Sequence, residues 1–70
     1  MPIVRIDLVA GREPERMADL IRRVTGAVVA ALEVRPEQVR VLLNEVPPEY
    51  WAVGGTTMAE RSARASEKDS

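Results

Sequence analysis

Three features of the seventy residues predict an α/β (α+β) fold made of one short β-α-β subunit with a C-terminal hairpin or arm. Two runs of apolar and β-branched residues alternate with a period of two. A longer run between them repeats its apolar residues at steps of three and four. A Pro-Pro pair and then a Gly-Gly pair follow the second alternating run. Strand, long helix, strand is a crossover unit, and crossovers of this kind are right-handed in nearly all folds, with parallel strands.

The first strand is IVRIDLV, Ile3 to Val9. Val4, Ile6 and Leu8 fall on one face and Ile3, Arg5 and Asp7 on the other, which is the alternation of a half-covered strand. AGRE interrupts it, with Gly11 free to take a positive φ and Pro14 suited to the first turn of a helix. From Pro14 to about Glu33, Met17, Leu20, Ile21, Val24, Ala27, Val28, Ala31 and Leu32 form one apolar stripe. Glu13 and Glu15 stand at the positive end of its dipole. Gly26, which costs about 1 kcal/mol against Ala inside a helix, points to a close approach by the sheet or a neighbour. VRPEQ breaks the helix, because Pro36 disfavours helical geometry at Arg35.

VRVLLNEV, Val39 to Val46, is the second strand, with Val39, Val41 and Leu43 on one face and Arg40, Leu42 and Asn44 on the other. Two parallel strands and one helix leave one sheet face bare, so another copy of the chain is expected to bury it. Pro47-Pro48 ends the strand, and YWAVGGTT reads as a short hairpin or extended arm turning at Gly54-Gly55. The domain is expected to span residues 1–58. Residues 59–70, ERSARASEKDS after Ala59, are expected to be a frayed or disordered polar tail.

Composition limits the chemistry. Seventy residues bury only about 60% of the surface that the unfolded chain exposes, and small domains recover stability through disulfides, metals or association. With no Cys and no His, disulfides, thiolate sites and the commonest metal ligand and general base are all removed. Association remains, and a hydrophobic content of 46% fits an apolar surplus hidden between subunits. A net charge of −1, no basic run, and Tyr50 and Trp51 as the only aromatics argue against nucleic-acid binding. No apolar stretch is long enough to span a bilayer. The N-terminus lacks the charged and apolar regions of a signal peptide, so a cytoplasmic location is expected.

Four residues carry the remaining chemical interest. Removal of Met1, favoured by the small residue after it, would make Pro2 a secondary amine; retention would leave an amide that cannot act as a base. An ordinary α-amino group titrates at about 7.7–8.0, and desolvation or nearby cations push an amine toward its neutral form. Proline at this position is also a common by-product of processing. Arg12 follows Gly11 at the carboxyl end of the first strand, where α/β sheets tend to bind ligands. Arg40 lies in the second strand, where a buried charge needs a partner; an ion pair with Glu45, Asp7 or a neighbour's carboxylate would serve as well as a ligand. Guanidinium groups grip carboxylates at two points, so two of them suit a dicarboxylate or keto acid. Trp51 fits either an interface or the dry wall of a site.

PIVRIDLVAGR, the helix of about eighteen residues, VRVLLNEV and PPEYWAVGG together resemble the small 4-oxalocrotonate tautomerase family. The agreement runs from Pro2 to about Thr56. The resemblance implies short β-α-β subunits, sheets joined across a dimer, and commonly a hexamer arranged as a trimer of dimers; co-assembly with a second chain stays open. It implies no cofactor, a small keto or enol acid or dicarboxylate as substrate, Pro2 as general base and proton carrier, and Arg12 on a substrate carboxylate. Arg40 would hold the other carboxylate or polarise the 2-oxo group, and Trp51 would stand in place of the family's phenylalanine. Hydratase and dehalogenase relatives carry an extra arginine and a carboxylate where this chain has Val9 and Val53, which implies proton transfer without water addition and adds both valines to the substrate-facing set. The expected activity is keto–enol isomerisation of a 2-hydroxymuconate-like acid. The alternatives are a hydratase, dehalogenase or carbon–carbon bond-forming relative using the same proline, or a non-catalytic oligomeric binding module.

Overall fold

Alternation along the two strand segments gives β1 (Ile3–Val9) and β2 (Arg40–Val46), which pair in a two-stranded sheet. The computed structural model describes residues 1–69, with side chains described as far as Ala63. At one end the Arg40 N–H donates to the Pro2 carbonyl at 3.0 Å; at the other the Ala10 N–H donates to the Val46 carbonyl at 2.8 Å. Both bonds run low-to-low and high-to-high along the chain, so the strands are parallel. Asn44 Nδ2 donates to Asp7 Oδ1 at 3.0 Å across 37 residues, and the same offset accounts for the two end bonds. It sets Ile3 beside Arg40 and Arg5 beside Leu42.

The crossover is α1 (Pro14–Leu32), with Pro14 in its first turn and Glu15 near its positive end. It ends one residue before the expected Glu33, which takes the left-handed C-cap conformation at φ 54° and ψ 46°. A 3₁₀ turn over Pro36–Gln38 leads into β2. Its Arg35 N–H donates to Gln38 Oε1 at 3.0 Å. The strand then begins at Arg40 rather than at the expected Val39, because the Val39 N–H is taken by the Pro36 carbonyl at 3.1 Å.

The chain forms two compact units, Met1–Asp7 with Arg12–Asn44, and Leu8–Gly11 with the segment from Glu45 onward; β1 and β2 run through both. In the first unit, the half-buried residues are Val4, Ile6, Val41 and Leu43 of the strands and Met17, Leu20, Val24 and Val28 of the helix. The strand faces are those the periodicity predicts, but of the predicted helix stripe Ile21, Ala27, Ala31 and Leu32 are exposed, so only Met17, Leu20, Val24 and Val28 join this unit's apolar layer. Asp19 pairs with Arg23 at 2.9 Å and with Arg22 at 3.6 Å on the solvated side of α1. No atom lies within 4 Å of a Cβ built at Gly26, so the close approach read from that glycine is not made within the chain.

In the second unit, Pro48–Tyr50 forms another 3₁₀ turn, followed by β3 (Ala52–Val53) and β4 (Thr56–Thr57). These pair antiparallel, Ala52 with Thr57 and Val53 with Thr56. Gly54 and Gly55 make the turn with φ 61° and 86°, the positive pair that a two-residue hairpin demands. The segment read as a disordered tail instead enters a helix, α2 (Met58–Asp69), packed against the Pro48–Tyr50 turn and β4. Its start is physical: the Glu60 N–H donates to Thr57 Oγ1 at 3.1 Å, and T-M-A-E is a Ser/Thr-x-x-Glu capping sequence. Ser70 and the side chains beyond Ala63 lie outside the described residues.

No side chain among the described residues is buried.

Candidate functional site

Pro2 is half-buried at the head of β1, and its carbonyl is fixed by the Arg40 N–H. A proline can offer only its carbonyl to the ladder, so pairing at this end rests on that one bond. Arg40, the first residue of β2, is exposed there, which removes the desolvation penalty expected of a charge inside a strand. Its Nη1 donates to the Glu37 carbonyl at 2.9 Å. Glu37 belongs to the 3₁₀ turn that Gln38 pins to Arg35, so the guanidinium is tethered at one nitrogen with other N–H groups left to bind an anion. The ion pairs considered for Arg40 with Asp7 or Glu45 are not formed among the described residues: Arg40 uses a carbonyl, and Asp7 bonds Asn44.

Arg12 stands beyond the other end of β1. The seven residues of the strand advance about 3.3 Å each, so Pro2 and Val9 are separated by roughly 23 Å, far more than an arginine side chain reaches. Arg12 is exposed and follows Gly11, whose φ of 130° only glycine adopts without strain. The backbone bond sets Pro2 and Arg40 on neighbouring strands, and Arg12 follows the other end of β1.

Val9, Trp51 and Val53 belong to the second unit. Trp51 is half-buried, and its carbonyl accepts the Met58 N–H at 2.8 Å, which fastens the arm to the start of α2. Val9 is half-buried, and half of Val53 is exposed on the hairpin. Among the described residues no cluster of acidic side chains is arranged to hold a metal ion, and no helix is long and apolar enough to cross a membrane. Sequence reasoning overlooked Gln38 and Glu37, whose part is to hold Arg40; the signal was the Pro-x-Gln turn just ahead of the arginine.

The family model for tautomerase enzymes matches residues 2–61. The 2-hydroxymuconate tautomerase of Pseudomonas sp. strain CF600 is 38% identical over 55 residues, covering 79% of this chain and 87% of that protein. Among solved structures, TomN, a 4-oxalocrotonate tautomerase homologue of the tomaymycin biosynthetic pathway, is 44% identical with a TM-score of 0.85, covering 89% of this chain and 95% of that one. A heterohexameric 4-oxalocrotonate tautomerase from Chloroflexus aurantiacus is 43% identical with a TM-score of 0.81, covering 86% and 97%.

Proposed function

The chain belongs to the tautomerase enzyme family, a family of isomerases, and on that premise we propose that it moves a proton within a 2-hydroxymuconate-like acid without a cofactor. Once Met1 is removed, the Pro2 nitrogen is a secondary amine. In its neutral form it takes the proton of the substrate's 2-hydroxyl group as the carbonyl forms. The resulting ammonium returns a proton to a carbon of the conjugated chain, and the amine is restored. Arg40 meets the charge that develops on the 2-oxo oxygen or its neighbouring carboxylate, Arg12 takes the far carboxylate, and Trp51 with Val9 and Val53 keeps the pocket apolar. A dry site lined by guanidinium groups favours the neutral amine twice over, through desolvation and through like charge.

The observation that carries this reading is the bond between the Pro2 carbonyl and the Arg40 N–H, which sets these two residues on neighbouring strands. The span of β1 supports a second element. If Arg12 serves the same substrate as Pro2, it comes from another copy, so the site is completed in an oligomer, a hexamer by analogy with the similar assembly from C. aurantiacus. The exposed sheet face and the absence of any buried side chain among the described residues support the same conclusion. A cytoplasmic location fits a protein acting on small dissolved acids.

The test is ketonisation of 2-hydroxymuconate followed by ultraviolet absorbance, with Met1 absent from every sample. Pro2→Ala is expected to lose roughly 10²–10⁴ in rate, the usual contribution of a positioned base. Equal rates for the two proteins would refute the assignment.

A further inference from the structure

Arg40 is exposed, and an exposed arginine ordinarily samples many rotamers. The turn ahead of it restricts this one. Over Pro36–Gln38 the bonds join residues three apart: the Gln38 N–H donates to the Arg35 carbonyl at 3.0 Å and the Val39 N–H to the Pro36 carbonyl at 3.1 Å. The next bond in that series would run from the Arg40 N–H to the Glu37 carbonyl. Strand pairing prevents it, because the Arg40 N–H goes to the Pro2 carbonyl at 3.0 Å. The Glu37 carbonyl is left to another donor, and Arg40 Nη1 takes it at 2.9 Å.

The Glu37 carbonyl and the Gln38 N–H belong to one planar peptide unit, so whatever fixes that N–H also aims that carbonyl. Arg35 and Gln38 are joined twice. The Arg35 carbonyl accepts the Gln38 N–H, and the Arg35 N–H donates to Gln38 Oε1 at 3.0 Å. The second bond depends on the half-buried Gln38 side chain alone. We propose that Gln38 is a positioning residue for the tautomerase reaction: its side-chain amide locks the turn whose carbonyl holds Arg40, so the guanidinium meets the substrate already oriented. The proposal rests on the role given to Arg40 in the proposed function and adds the residue that sets its geometry. Gln38 acts through Arg40 and needs no contact with the substrate. A side chain already held loses less freedom on binding, and a small misplacement of a group that meets the reacting atoms lowers the rate steeply.

Gln38→Met keeps the side-chain length and the turn's backbone bonds and removes the acceptor. In 2-hydroxymuconate ketonisation, with Met1 absent, kcat/KM is expected to fall about two- to tenfold, as the loss of one neutral hydrogen bond implies. The loss is expected in the same parameter, KM or kcat, as that of Arg40→Lys. Made in the Arg40→Lys background, the change is expected to lower the rate by less than about twofold, because no fork remains to be aimed. Nitrogen-15 NMR gives a readout apart from activity. The Arg40 Nη1 protons of the wild type are expected as separate signals, slowed by the bond to Glu37, and in Gln38→Met they are expected to merge. Gln38→Glu keeps an acceptor for the Arg35 N–H and should keep the separate signals. Circular dichroism checks folding; if Gln38→Met does not fold, Gln38→Asn, one methylene shorter, takes its place. Equal losses in the two backgrounds, or unchanged Arg40 signals in Gln38→Met, overturn the positioning role. Wild-type kinetics for Gln38→Met beside a slow Pro2→Ala overturn it alone, whereas a fully active Pro2→Ala removes the function on which it rests.

Discussion

Replacing Arg40 by lysine keeps the charge and removes the fork. In the structure one guanidinium nitrogen, Nη1, is committed to the Glu37 carbonyl at 2.9 Å, and the remaining N–H groups are available to a substrate oxygen. Lysine has a single nitrogen on a flexible stem, so it cannot hold the turn and grip a carboxylate or oxo group at two points. A hydrogen bond to a charged group is worth about 1.5–3 kcal/mol. At about 1.4 kcal/mol per factor of ten, Arg40→Lys should lower kcat/KM for 2-hydroxymuconate ketonisation roughly 10- to 150-fold. Loss concentrated in KM identifies ground-state binding of a carboxylate; loss in kcat identifies stabilisation of charge that develops during proton transfer. Arg22→Lys on α1 is the control, because Arg22 reaches only the exposed Asp19 at 3.6 Å, and its kinetics should match the wild type. Arg40→Lys within about twofold of wild type would refute the role given to Arg40 and the use made of its tether.

Thr57→Ala removes the oxygen that accepts the Glu60 N–H and should cost about 1 kcal/mol of helix stability, read as lost helical circular dichroism and a lower Tm; unchanged helicity would contradict the capping account of α2. Glu33→Gly relieves a left-handed residue at φ 54°, a conformation that costs L-residues roughly 1–2 kcal/mol. The variant should therefore be more stable to urea by up to that amount, and a lower midpoint would contradict it.

The strands, the long helix and the glycine turn were legible because each rests on a local rule: alternation for Ile3–Val9, a 3.6-residue stripe after Pro14, and paired positive φ at Gly54-Gly55. The membership of the tautomerase family was legible too, since Pro2, Arg12 and Arg40 sit at distinctive places in that β-α-β frame. The C-terminal helix was missed because composition outweighed a single capping sequence. ERSARASEKDS lacks an apolar stripe, but Thr57 supplies the acceptor that starts the helix, and the Pro48–Tyr50 turn lies against it. The tether of Arg40 was not legible, because it depends on where the Glu37 carbonyl points once the turn is formed. For Gly26 the close approach by the sheet is not made within the chain, which leaves the neighbour as the other half of that expectation.

The central claim concerns one nitrogen. Nitrogen-15 NMR of Pro2, in assembled protein lacking Met1 and followed as pH is raised, reads its protonation directly. The account requires the resonance of an uncharged secondary amine already at neutral pH. An ammonium resonance that persists well above neutrality would contradict it.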